Sequence, residues 1–200
     1  MISFSSGVML GLSLIIAIGA QNIWVLSQCM AGANRLVIAI CCIACDSLLI
    51  ILGVYSASEL KELMPSILPW LTYGGVAMLL YIAVSAIFRA IKGNSGLILT
   101  KTTQASWQVT ALSALAISLL NPHVYLDTVL LLGSIGALQA SPTYFAVGAC
   151  LASFVWFASL TAFSPKLRTV LSSPFRWRMF DGTIAVILFA MAFQLLNYNV

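Results

Sequence analysis

Apolar residues run along this chain in long blocks, broken only by short clusters of polar or charged positions. From Met1 to Asn34 there is no Asp, Glu, Lys or Arg, and from Thr102 to Pro165 the only one is Asp127. Such runs exceed the ~20 residues that carry a helix across a bilayer core of about 30 Å. Breaks at charge, Pro and Gly predict spans at 4–27, 36–57, 67–88, 110–137, 143–163 and 181–199. Each must be helical, because in lipid a backbone group finds its partner only within its own segment. The expectation is an all-α integral membrane protein of about six transmembrane helices. The connections, at 31–35, 58–66, 89–106, 139–142 and 164–180, are too short for a soluble domain, so function has to lie among the helices. The opening segment has neither the basic n-region nor the small-residue cleavage site of a secretory signal and reads as part of the mature protein.

The polar stretch in mid-chain divides the spans into three plus three, residues 1–95 and 105–200. An odd number per half sets the halves in opposite orientations, the arithmetic of an inverted repeat with a binding site between repeats near the midplane. A polar break recurs in the first span of each half, at Gly19-Ala20-Gln21-Asn22 and at Asn121-Pro122.

Charge adds orientation. Arg35, then Arg89, Lys92 and Lys101, then Lys166, Arg168, Arg176 and Arg178 fall after the first, third and fifth spans, against Lys61 alone on the other side. The positive-inside rule then puts those three connections in the cytoplasm and both termini outside. A re-entrant first span, which Gly7, Gly11, Ser13, Gly19, Gln21 and Asn22 would allow, leaves the amino terminus inside instead. Composition agrees with the membrane reading: 62% of the 200 residues are hydrophobic and 7% charged, against roughly 25% charged in a soluble domain. The net charge of +4 sits in loops beside apolar spans, not on a basic folded face, and so does not indicate a nucleic-acid partner.

Candidate chemistry is sparse, and therefore legible. Asp46 lies roughly 16 Å into the second span at ~1.5 Å per residue, near the bilayer centre, where a carboxylate costs at least ~2.5 kcal/mol. An ionisable group there is functional by default, although a protonated Asp that fixes helix packing is the plainer alternative. Asp127 is also central. Before it, Asn121-Pro122 pairs an N-cap residue with the residue favoured at the first helical position, so a helix starts inside the membrane there. Free amides and a positive dipole end would then face a cavity, with Asp127 about 9 Å further along the axis. An amino acid with a carboxylate at one end and a cation at the other would bridge such a pair of sites; a Pro kink that serves packing alone is the competing reading. His123 shares a helix face with Asp127, which suits a proton relay or a simple hydrogen bond. Gln21 and Asn22 suit substrate contact or helix tethering equally.

Other features carry less. Cys41, Cys42 and Cys45 with Asp46 have donors for a soft metal, but cysteine also sits comfortably in apolar helices, and no metal or cofactor is assigned. Cys29 and Cys150 fall in non-equivalent spans, so they are not the redox pair from matching spans that a thiol-redox enzyme of two three-helix halves needs, and that reading is disfavoured. Gly7 and Gly11 form a GxxxG that suits packing between helices or between subunits of a homo-oligomer. Trp70, Tyr73, Trp107, Tyr144, Trp177 and Tyr198 lie near span ends, as an interfacial belt does.

The string Leu120-Asn121-Pro122-His123-Val124-Tyr125-Leu126-Asp127-Thr128, with Ile18-Gly19-Ala20-Gln21-Asn22 and the lone Asp46, resembles the LysE/ArgO family of basic amino-acid exporters. The match runs the full chain, including Ser172-Ser173-Pro174 and Trp177. The resemblance implies a compact multi-pass transporter of the bacterial inner membrane, not an enzyme, that moves lysine or arginine outward on the proton or membrane potential. It also implies that Asp46 and Asp127 act as a pair. Ala20 stands where the family usually has Pro in its GPQN-type motif. Wider relatives export neutral amino acids or cadmium; the two acids favour a cation.

Overall fold

The computed structural model describes residues 1–16, 19–92, 106–170 and 173–197, and these are helical almost throughout. The elements are α1 (Ile2–Ile15), α2 (Ala20–Ala31), α3 (Arg35–Lys92), α4 (Trp107–Leu119), α5 (Pro122–Val124), a π-helix (Tyr125–Leu132), α6 (Gly133–Ala137), α7 (Pro142–Val170) and α8 (Pro174–Asn197). Among the described residues four stretches are long and apolar enough to cross a bilayer alone: Arg35–Ser56, Pro69–Phe88, Pro142–Leu167 and Phe175–Asn197. Two bent pairs bring the number to six, α1 with α2 at 73° and α4 with Pro122–Ala137 at 59°. Both bends fall at the polar breaks expected from sequence.

Several boundaries differ from expectation. The connection placed at 58–66 is helical, and α3 runs on to Lys92 with non-helical backbone only at Ser56 (φ −130°, ψ 28°). The cause is local: Glu59-Leu60-Lys61-Glu62-Leu63-Met64 is built of strong helix formers, so polarity there marks the membrane exit without ending the helix. Likewise α7 continues through Pro165 to Val170 and α8 begins at Pro174, leaving little of the connection expected at 164–180. Trp177 is buried, with its ring 5.9 Å from that of Phe180, and so does not belong to the interfacial belt. Tyr198 lies outside the described residues. Trp70, Tyr73, Trp107 and Tyr144 are exposed.

Small residues set how the bundle closes. A Cβ added to Gly11 would stand 2.9 Å from Ala152 Cβ and 3.1 Å from Ala149 Cα. Gly7 abuts the Phe145 carbonyl, and Gly148 that of Phe4. The GxxxG of α1 is therefore spent on α7 within the chain. At its other end the bent pair still follows α7, since Leu26 shares a groove with Leu160, Phe163 and Leu167. From Phe145 to Ser164 an α-helix rises roughly 28 Å at ~1.5 Å per residue, so α1 and α2 together run alongside α7 for about the thickness of a bilayer core. A large apolar cluster (Trp24, Ile38, Cys42, Ala83, Ile117, Phe157, Leu188) joins α2, α3, α4, α7 and α8. A smaller one (Ile50, Val54, Leu132, Phe145, Ala149) closes the end at which α7 begins.

Candidate functional site

Between these clusters lies a cavity of about 280 Å³ bounded by Gln21, Asn22, Asp46, Asn121, His123 and Asp127. That is near the lower edge of the ~300–1,000 Å³ typical of small-molecule sites. Six of the seven residues singled out from sequence thus meet at one surface, although they come from three separate stretches of chain. Pro122, the seventh, is fully buried behind it at the start of α5. Leu14, Ile15, Phe157 and Met191 supply apolar wall, and Thr128 and Gln194 further polar groups.

Each break in the helices is built to keep this cavity open. In the first bent span Asn22 donates from Nδ2 to the Ile15 carbonyl at 2.8 Å and accepts at Oδ1 from Trp156 Nε1 at 3.0 Å. The Asn22 side chain thereby satisfies a carbonyl left over where α1 ends and ties the bend to α7. Gln21 donates to Ser118 Oγ at 3.1 Å, and that hydroxyl donates to the Ala114 carbonyl at 2.9 Å, joining α2 to α4. In the second bent span Tyr125 reaches back from its hydroxyl to the Leu119 carbonyl at 2.8 Å. Asn121 caps α5 as its sequence predicts, Oδ1 accepting from the His123 amide at 3.2 Å.

One expectation fails in detail. The free amides anticipated at this helix start are already used: His123 N–H by the Asn121 side chain, Val124 N–H by the Asn121 carbonyl at 3.1 Å, and Tyr125 N–H by the Pro122 carbonyl. A short α5 tightened on itself leaves the Asn121 amide nitrogen and the residual dipole as what the turn can offer a ligand.

The two acids are presented differently. Asp46 is 4% exposed; its Oδ2 accepts from Ser153 Oγ of α7 at 3.1 Å, while its Oδ1 has no partner. Asp127 is half-buried within the π-helix, whose wider turns rotate the side chains after Val124 away from their α-helical bearings. His123 stands near enough to Asp127 to act on it electrostatically. No hydrogen-bond donor is placed on Asp127 among the described residues. No lining residue of the cavity is Lys or Arg. The cavity therefore offers acceptors to a cation.

A family model described as "LysE type translocator" matches residues 12–199. The chain belongs to the LysE family. Curated relatives agree along nearly the whole length. The "Arginine exporter protein ArgO" of Enterobacter sp. (strain 638) is 36% identical over 199 residues, 96% of this chain and 92% of the relative. The protein of that name from Salmonella paratyphi B is 36% identical over 204 residues, 98% and 94% of the two chains. The "Putative amino-acid transporter YggA" of Aeromonas salmonicida is 37% identical over 191 residues, 94% and 93%. No solved structure matches significantly. As a LysE-family translocator the chain is a membrane transporter and not an enzyme, a multi-pass protein of the bacterial inner membrane.

Sequence reasoning on this LysE-family member missed Ser153, Thr128, Met191 and Gln194. Gln194 carried a signal, being a lone amide in the apolar run Phe189–Leu196. Ser153 carried almost none, because a serine in a small-residue helix reads as packing. A third acid was also missed as intramembrane: Asp181 is fully buried in α8, having been placed at the edge of its span. Among the described residues no group of three or more His, Cys, Asp or Glu is placed to hold a metal, and the five cysteines are free thiols.

Proposed function

We propose that this protein exports basic L-amino acids, arginine and/or lysine, from the cytoplasm by secondary transport coupled to the proton-motive force. The observation that carries the reading is the convergence of Asp46 and Asp127 on one amide-lined cavity with no Lys or Arg in its wall. The names of the arginine-exporting relatives point the same way. In the cycle we envisage, substrate enters from the cytoplasm and its cationic groups are drawn to the two acids. Its carboxylate settles near Asn121, whose amide nitrogen remains once its oxygen has capped His123. Export of a cation works against an inward-negative potential by ~2.3 kcal/mol per charge per 100 mV, so a proton returns on one aspartate, with His123 placed to relay it. Gln21 and Asn22 hold the bend of the first span at the rim of the site.

The same proposal includes two inverted halves, residues 1–95 and 105–200, that rock about the cavity. Supporting it, both first spans are bent, and in each a side chain beyond the break returns to the carbonyl that ends the first segment, Asn22 to Ile15 and Tyr125 to Leu119. Asp46 and Ser153, each eleven residues into α3 and α7 respectively, bond to one another.

The test is uptake of labelled arginine and lysine into everted membrane vesicles, comparing the parent with Asp46→Asn and Asp127→Asn at matched expression. Accumulation by the parent and failure of both variants is the expected result. Normal transport by the variants would remove the two acids from the site, and no uptake of either amino acid by the parent would remove the basic-substrate reading in favour of neutral amino acids or metals.

A further inference from the structure

An L-arginine molecule carries two cations, an α-ammonium and a guanidinium, and the two aspartates of the cavity differ in the way those two cations differ. Asp46 is a one-armed acceptor. Its Oδ2 is held from behind by Ser153 Oγ at 3.1 Å, and Ser153 is itself fully buried in α7. Its Oδ1 is buried and makes no hydrogen bond within geometric limits, with the Gln21 side chain the other polar group near the carboxylate. An ammonium is a compact point charge that donates along single directions, and one well-placed acceptor suits it. Asp127 is two-armed: half-buried, carried on the π-helix, with no donor on either oxygen among the described residues. A guanidinium presents two parallel N–H bonds to a carboxylate whose oxygens are both open. The same cavity wall is apolar where Leu14, Ile15, Phe157 and Met191 line it, a surface for a methylene stem.

Resting on the basic amino-acid reading above, we infer that the cavity is divided into two subsites, Asp46 positioned by Ser153 for the α-ammonium and Asp127 for the side-chain guanidinium. Ser153 is then a positioning residue for every substrate that has an α-amino group, and Asp127 is the residue that selects among side chains. A lysine ammonium uses one arm of Asp127 where a guanidinium uses both, so the site prefers arginine.

The experiment is competition against labelled arginine uptake in everted vesicles by unlabelled arginine, lysine and citrulline, which has arginine's shape with a neutral urea in place of the guanidinium. Ser153→Ala is expected to raise the apparent KM for arginine and the inhibition constant for citrulline by the same factor, on the order of tenfold for a lost bond to a charged group. The arginine-to-citrulline ratio stays as in the parent, and Ser153→Thr, which keeps the hydroxyl, restores both constants. Asp127→Glu, which keeps the charge but displaces the fork, is expected to shrink the arginine-to-citrulline and arginine-to-lysine ratios by about tenfold. The reverse pattern, with Ser153→Ala altering the ratio and Asp127→Glu leaving it, overturns the inference, as does equal loss for both variants. If Ser153→Ala does not fold, Ser153→Cys, close to serine in size but with a much weaker donor, is put through the same competition and is expected to raise both constants by one common factor. A parent that neither transports nor binds arginine fails the underlying reading, and the subsites fall with it.

Discussion

Gly53 of α3 and Gly133 of α6 cross with their backbones in contact, so that a Cβ built on Gly133 would lie 2.5 Å from the Gly53 carbonyl carbon and 2.6 Å from its Cα. From the other side, a Cβ on Gly53 would meet the Val129 carbonyl oxygen at 2.7 Å. This crossing presses the span that carries Asp46 against the π-helix that carries Asp127. The atoms in the way are backbone, which cannot swing aside. Gly133→Ala and Gly53→Ala are therefore expected to destabilise the fold by about 1–3 kcal/mol and to reduce the monodisperse peak in size-exclusion chromatography in detergent. Gly74→Ala is the matched control: its added methyl would stand at an ordinary 3.6 Å from a Leu120 methyl and should leave the profile unchanged.

The bend of the first span hangs on Asn22. Because the Asn22 amide is shared between the Ile15 carbonyl and Trp156 Nε1, Asn22→Leu and Trp156→Phe should be non-additive. Interhelical hydrogen bonds in membranes average about 0.6 kcal/mol, with ~1.7 at the upper end, and a coupling within that range is expected from a double-mutant cycle on thermal stability. Strict additivity would show that the two side chains do not act through one another. Tyr125→Phe, which leaves the Leu119 carbonyl without its donor, is expected to weaken transport more than stability, because it loosens the helix that carries Asp127.

Cysteine removal separates cation export from metal efflux. Cys41, Cys42 and Cys45 lie within the membrane-spanning stretch Arg35–Ser56 as free thiols, yet no metal-holding cluster occurs among the described residues. A triple Cys→Ala variant should keep arginine uptake in vesicles and leave the cadmium and zinc tolerance of the host cells where it was. Loss of metal tolerance alone would restore the soft-metal reading.

How far the sequence could be read follows from the kind of force at each level. Charge-free runs and the need to satisfy backbone groups in lipid dictate helices and their number, since both act locally along the chain. The break at Asn121-Pro122 was legible for the same reason, because capping and the missing proline N–H are properties of adjacent residues. The break at Gly19 was legible from a polar cluster in an apolar run. Asp46 and Asp127 announced themselves through the cost of a carboxylate in hydrocarbon.

The remainder came from contacts between residues far apart in sequence. That Ser153 holds one oxygen of Asp46, that Trp156 secures Asn22, and that Gln194 reaches the cavity follow from which helix faces meet, and faces meet through close packing that a single segment does not encode. The π-helix is of this kind too. No residue in Tyr125-Leu126-Asp127-Thr128 demands a wider turn, and Gly53 pressing on Val129 and Gly133 supplies a constraint visible only in three dimensions. Local chemistry thus named most of the polar residues that line the cavity, while helix packing set which oxygen of Asp46 is occupied and which way Asp127 turns.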